Sequence, residues 1–411
     1  MTSEAIPIPT SVPSMSVVGG IYSFVWEVEK VQIVLERLRE DSHRTVQADI
    51  RIMAEPEGHI HMTRLNILTT RGRSDVARHC AGRCQRGRDW DAIVEQLCVM
   101  TLDHYRTGEP LLNLGEVDPP KDPLYRLYPF IVEGEATVIF GEGGIGKSYL
   151  AGFMAALVDQ NLSTNRYQPL PGKVLYLDYE TTGDIAARRF QALTKGFGFG
   201  GISNVIYRFC HQSLPADISE IQRIVAEQNV ALIIVDSAGP ACGGDPESAA
   251  SAISYFTALR SLRIASITIA HRSKSQTVGP FGSVYWINYP RMAYELLKSQ
   301  DAESDEMHVA LIHRKVNDGR LQKPLSFKIE WHESGAVTVE PESLEDIPDF
   351  VAHLSLSEQC QIAIKNTGPM TVKELGEATG QNPRSIATIL SRERNHFTRI
   401  GNSKWDRVNH E

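Results

Sequence analysis

The chain has 411 residues, 42% apolar and 22% charged, which suits a globular protein of about three domains of ~150 residues each. No apolar run nears the ~20 residues of a membrane helix, the N-terminus lacks the basic-then-apolar order of a secretory signal, and six cysteines make no disulfide framework, so a cytoplasmic protein without a membrane span is expected. A net charge of −8 excludes indiscriminate adhesion to nucleic acid; such contact has to come from local basic surface or from a ring that focuses positive charge in its channel.

Residues 1–20 are rich in Pro and Ser, show no period and read as a disordered leader. An α+β domain of unknown role, a candidate site for a protein partner, is expected over 21–106. Within it VQADIRIMA and IHMTRLNIL alternate apolar and polar residues around EPEGH, which predicts a hairpin. Helical spacing predicts one helix from Ser74 to about Gln85 and another from Trp90 to Tyr105. Segment 71–88 holds six arginines, so it is either a phosphate-binding stripe or a solvated helix face. Cys80 and Cys84 are poorly spaced for a structural zinc site. The stretch 107–124, with four prolines, is a linker.

From 125 to 340 the pattern changes to strand–helix alternation. EATVIF, KVLYLDYE, NVIYRF, VALIIVD and ASITIA are continuous apolar runs, as expected of strands covered by helices on both faces. The later strands RMAYELLK, HVALIHRKV, LSFKIEW and AVTVE are joined by short links, which predicts an antiparallel extension. The fold class is therefore α/β, with a mostly parallel sheet. A linker over 341–353 leads to a small domain, 354–411, of three helices and a strand pair. Asn382 is placed to cap its third helix, with Pro383 at the first helical position.

The sharpest local signal is Gly141-Glu142-Gly143-Gly144-Ile145-Gly146-Lys147-Ser148, between a strand and a helix that begins with Lys147, Ser148 and Tyr149. Its glycines let backbone N–H groups turn inward on phosphates, and the helix N-terminus adds its dipole. Lys147 is suited to the β and γ phosphates of ATP, and Ser148 to Mg²⁺. A second Mg²⁺ ligand is expected at the end of a buried strand, where VALIIVD supplies Asp236. The next residue, Ser237, is no base. Glu180, at the tip of KVLYLDYE, is preferred as the group that holds the attacking water, and Asp178, two residues further in, is its rival.

Taken in order, this P-loop, YLDYETT, LIIVDS, IAHRSK, GPFGS and HRKVNDG resemble the RecA-like ATPases. Over about 130–335 the order is most similar to the RepA-type hexameric helicases, relatives of the DnaB-type replicative helicases. The resemblance implies a RecA-like core, a homohexameric ring, single-stranded DNA as partner, and His271 as the γ-phosphate sensor. It also implies a cation that reaches a neighbouring subunit's nucleotide. Arg291, Arg314 and Lys315 are the candidates, left open because KVNDG and Pro290 depart from the family pattern. Loops near 271–283 line the channel in such rings, which makes Arg272 and Lys274 candidates for phosphate contact. The C-terminal domain looks like a winged helix whose Arg384, Ser385, Thr388 and Arg392 face outward, with Lys404 on the wing. Loop 238–249 carries no cation and reads as a lid or subunit contact. A replicative helicase or translocase is expected, for a mobile element or its host. The alternative is a non-motor RecA-like ATP switch acting as a regulator, loader or accessory to recombination or defence.

Overall fold

The computed structural model describes residues 10–408 except 19, 42, 85–86, 109–110, 119–123, 165, 199–203, 274–278 and 402. The chain divides into two compact units. One comprises Met1–Asp122 with Ala216–Val230, and the other Pro123–Pro215 with Ala231–Glu411.

In the first unit five strands follow one another as an antiparallel meander: Ser14–Val18, Ile21–Trp26, Val31–Glu40, Val46–Ala54 and Gly58–Asn66. Alternation puts Phe24, Trp26, Ile33, Leu35, Ile50 and Ile52 into one core with the apolar faces of helices Thr70–Ala81 and Trp90–Thr107. The expected hairpin is present. The supposed leader is corrected in part: Ser14–Val18 is an edge strand paired with Ile21–Trp26, and residues 1–9 lie outside the described residues. Its alternation is only half-buried, so its apolar signal is weak. The first helix starts at Thr70 rather than Ser74, because its opening Thr-Arg-Gly-Arg carries no apolar residue.

Part of the basic stripe is structural. Arg73 pairs with Glu95 at 2.6 Å and Arg78 with Asp75 at 3.1 Å. Arg83 donates to the Ile60 carbonyl, and Arg88 to the carbonyls of Glu29 and Glu55. Arg83 and Arg88 tie helix and loop to the sheet and Arg73 joins the two helices, which withdraws their donors from a phosphate backbone, whereas Arg78 pairs within its own helix and stays exposed.

The second unit is built on a nine-stranded sheet. Its order is Ile206–Phe209, Lys173–Asp178, Val230–Asp236, Ala265–His271, Ala136–Gly141, Met292–Ser299, Glu306–Val316, Leu325–Trp331 and Val337–Glu342. The P-loop strand lies between two parallel neighbours, and the last three strands run antiparallel. Helix Lys147–Gln160 is buried from Leu150 to Val158, packed with Phe190 and Leu193 of helix Gly183–Gly196 in the main apolar core. Such all-round burial is what a helix without a polar stripe requires.

The segment read as a second linker, 341–353, is ordered. The last strand extends to Glu342, and helical turns Leu344–Asp346 and Pro348–Val351 follow. Leu344 and Phe350 are buried with Ala310 and Ile312 of the sheet. The C-terminal module has helices Leu356–Thr367, Val372–Thr379 and Pro383–Arg392 and a three-stranded antiparallel sheet. Asn382 caps the third helix as expected, accepting from the Arg384 N–H at 2.9 Å. No helix among the described residues is long and apolar enough to cross a membrane.

Candidate active site

Gly141 closes the P-loop strand in a place that admits no side chain. A Cβ there would lie 2.3 Å from Ile145 Cδ1 and 2.6 Å from the Leu296 carbonyl oxygen. Gly146 has φ +84°, and a Cβ on it would lie 2.6 Å from Met307 Cε. The loop thus curls against the strands beside it and delivers helix Lys147–Gln160 with its N-terminus at the carboxyl edge of the parallel strands. Lys147 is folded back into its own loop, donating to the carbonyls of Gly141, at 3.0 Å, and Glu142. Burial pushes its ammonium below the ordinary lysine range, against the opposing pull of Asp236, Glu180 and Glu142.

Asp236 ends the strand Val230–Asp236 and is buried. Burial raises its carboxyl, although the Tyr176 hydroxyl donates to Oδ2 at 2.5 Å and the Ser148 side chain also hydrogen-bonds to it. Arg189 Nη1 stands 4.0 Å from the same oxygen. The Ser148 hydroxyl and the Asp236 carboxylate are thus in contact. That all-oxygen pair fits a small hard cation such as Mg²⁺. A bound Mg²⁺ would neutralise phosphate charge.

The two rival carboxylates separate cleanly. Asp178 is buried and accepts from the backbone N–H of Glu180 at 2.9 Å, that of Thr181 at 2.8 Å and the Thr181 hydroxyl at 2.5 Å. It is committed to holding the turn. Glu180 is half-exposed at the cleft; Ser237 Oγ donates to its Oε1, and His271 Nε2 is 3.8 Å from that atom. Glu180, Asp236, Ser237 and His271 therefore meet at three adjacent strand ends, beside Lys147 and Ser148, around a cleft of about 280 Å³. Tyr149, Ile145, Gly144 and Gly146 also line it. The Glu142 and Gly143 residues of the loop are exposed.

Several lining residues carried no signal in the sequence. Arg189 comes from helix Gly183–Gly196, Gln300 follows strand Met292–Ser299, and Met307 and Trp331 come from the start and the end of the next two strands. Met292–Ser299 runs parallel to the P-loop strand, so Gln300 beyond its end reaches the P-loop edge directly; reversal of the next strand puts Met307 there at its start, and a second reversal puts Trp331 there at the end of Leu325–Trp331.

The candidate cations fall into two groups. Arg272 and Arg314 both clasp the buried Glu295, at 3.1 and 2.6 Å. Arg314 as a cation free to reach a neighbour is therefore corrected: its guanidinium is held by its own chain. Arg291 and Lys315 lie at the other edge of the sheet. The Arg291 N–H bonds the carbonyl of Ala136, at the start of the P-loop strand. The Arg291 side chain is half-exposed between Glu135 and Asp318. Lys315 donates to the carbonyls of Asn288 and Pro290 and is pushed down by burial and by Arg291. Loop 238–249 is anchored rather than loose, since the Pro246 carbonyl accepts from the Ser283 N–H and from Trp286 Nε1, each at 2.9 Å.

Lys274 lies outside the described residues. Arg384, Ser385, Thr388 and Arg392 are exposed on their helix while Ile386 and Leu390 are buried; Lys404 is half-buried.

Residues 109–277 match a family model described as an AAA domain. No curated protein matches the sequence. Among solved structures, a KaiC-like protein from the archaeon Pyrococcus horikoshii is 13% identical, the match covering 54% of this chain and 100% of that one with a TM-score of 0.39. The flagellar accessory protein FlaH from Methanocaldococcus jannaschii is 15% identical over 51% of this chain and 90% of its own, with a TM-score of 0.36. The family match falls on the loop, strand order and carboxylates described above, and this core has a RecA-like P-loop fold.

Proposed function

We propose that this chain is an ATP-hydrolysing, ring-forming DNA helicase or translocase, serving replication of a mobile element or its host from the cytoplasm. The observation that carries the reading is the division of charge across the sheet. The phosphate-binding groups gather at one edge. Arg291 and Lys315 sit at the other, five residues back along the P-loop strand, or about 16 Å at ~3.3 Å per residue. A cation there is too far to serve its own nucleotide and is suited to a neighbour's, as in a homohexamer. In trans such a cation is worth ~10³–10⁵ in rate.

In this reading Lys147 binds the β and γ phosphates, Ser148 and Asp236 hold Mg²⁺, Glu180 orients the attacking water and His271 senses the γ-phosphate. Single-stranded DNA is assigned to the segment that follows His271, with Arg272 and Lys274. A hollow of about 990 Å³ opens there beside His271, Arg272 and Phe281, with Glu142 and Glu247 also in its wall. The C-terminal module, read as a winged helix, adds Arg384, Ser385, Thr388, Arg392 and Lys404. The N-terminal module is the candidate for a protein partner. The test is mass photometry with ATP and single-stranded DNA, together with unwinding of a forked duplex. A six-subunit species with DNA-stimulated hydrolysis is expected; a monomer whose turnover ignores DNA sinks the proposal.

One observation favours a second reading, an ATP switch that loads or regulates another protein. Arg272 is engaged by Glu295, which reduces the free positive charge next to the sensor. Slow hydrolysis indifferent to DNA, with an ATP-dependent protein partner, distinguishes it.

A further inference from the structure

The phosphate cleft does not end at the phosphates. It shares Tyr149, Arg189 and Trp331 with an adjoining hollow of about 620 Å³, which Arg188, Lys195 and His332 also line. Tyr149 directly follows Ser148 in the helix that the P-loop opens, and it lines both hollows. The ring is fixed from two sides: Arg189 lies over it at 5.5 Å, and the Trp331 indole meets it edge-on at 5.5 Å. Trp331 ends its strand, its backbone N–H bonded to the Asp305 carbonyl at 2.9 Å, and its side chain is only partly buried at the rim of the main core. Lys195 donates to the Ser334 carbonyl and so pins the turn that follows Trp331.

An indole at the mouth of a phosphate site, held by its backbone and by a cation-braced tyrosine, offers a flat apolar surface to whatever the phosphates carry. We propose that the antiparallel extension supplies the nucleobase site, with Trp331 as the stacking platform for a purine and Tyr149 and Arg189 as its support. The strands Met292–Ser299, Glu306–Val316 and Leu325–Trp331 thereby do more than widen the sheet, since their ends form the nucleoside wall of the cleft. This inference rests on the assignment of the P-loop as a nucleotide site.

The experiment compares a ligand that has a base with one that has none. Binding of Mg-ADP and of Mg-tripolyphosphate to the full chain is measured by calorimetry, for the wild type and for Trp331→Ala, Trp331→Phe and Lys147→Ala. Stacking on an aromatic contributes enough that its removal should weaken ADP about tenfold. Tripolyphosphate affinity should be unchanged in Trp331→Ala, and Trp331→Phe should restore most of the ADP affinity. Equal weakening of both ligands in Trp331→Ala, or no change in either, overturns the proposal. Lys147→Ala tests the separate assumption: both ligands should be lost, and retention of both would overturn the P-loop assignment itself.

Discussion

Ser237 donates its hydroxyl to Oε1 of Glu180, and the same oxygen faces His271 Nε2 at 3.8 Å. Two neighbouring strand ends thus aim one carboxylate into the cleft, while Asp178, two residues earlier, is turned to the backbone. Glu180→Gln should therefore keep ADP affinity and lower the hydrolysis rate by ~10²–10⁴-fold, the usual contribution of a positioned base. Phosphate release assays alongside ADP titration check this. Asp178→Ala should act on the fold instead, costing about 1–3 kcal/mol through the N–H groups it leaves unpaired. A larger loss of rate in Asp178→Asn, with Glu180→Gln nearly silent, would reverse the assignment.

Lys147 carries a pH signature. Its ammonium is pushed down by burial, so below the ordinary lysine value of 10.5 the folded chain binds fewer protons than the unfolded one. Stability therefore rises with pH in the window between the lowered value and 10.5, and the penalty is full below it. In Lys147→Met this slope should vanish. Melting temperatures of both proteins without nucleotide, compared between pH 8 and about 10, should show the wild type gaining on the variant as pH rises.

Glu295 is the pivot of a buried charge cluster. It is 1% exposed, with Arg272 and Arg314 on its two oxygens. Removing one member of such a group leaves uncompensated charge, so Glu295→Gln should cost about 3–5 kcal/mol. Urea denaturation measures it, and a loss below about 1 kcal/mol would mean that the arginines turn out to solvent instead.

Arg291 invites a mixing test. Arg291→Ala and Glu180→Gln should each be inactive alone. If the arginine completes a neighbour's site, mixed oligomers contain interfaces with both groups intact, and hydrolysis should recover several-fold. A mixture no more active than its components would place the cation elsewhere, with Lys315 next in line.

The sequence by itself determined the phosphate site and the parts of the fold that follow from local period. Gly141–Ser148, Asp236 and Glu180 lie at strand ends that continuous apolar runs announce, and the choice of Glu180 over Asp178 rested on strand position, since alternation puts both on one face with Asp178 further inside. Those signals are carried by residues a few positions apart, so they need no knowledge of neighbours in space. Tertiary structure decided the rest. Met307 and Trp331 reach the P-loop only because the strands beyond Met292–Ser299 fold back antiparallel beside it, and Gln300 because its strand is laid next to the P-loop strand. Arg314, a free cation on the strength of its position, is consumed by Glu295, which the order and register of strands bring beside it. Ser14–Val18 becomes a strand because a partner already aligned along Ile21–Trp26 satisfies its backbone. For Trp331 and Arg314 the deciding energy is a contact between residues distant in the chain, and a local pattern holds no record of it; Ser14–Val18 pairs with a near neighbour, and its half-buried alternation hid it.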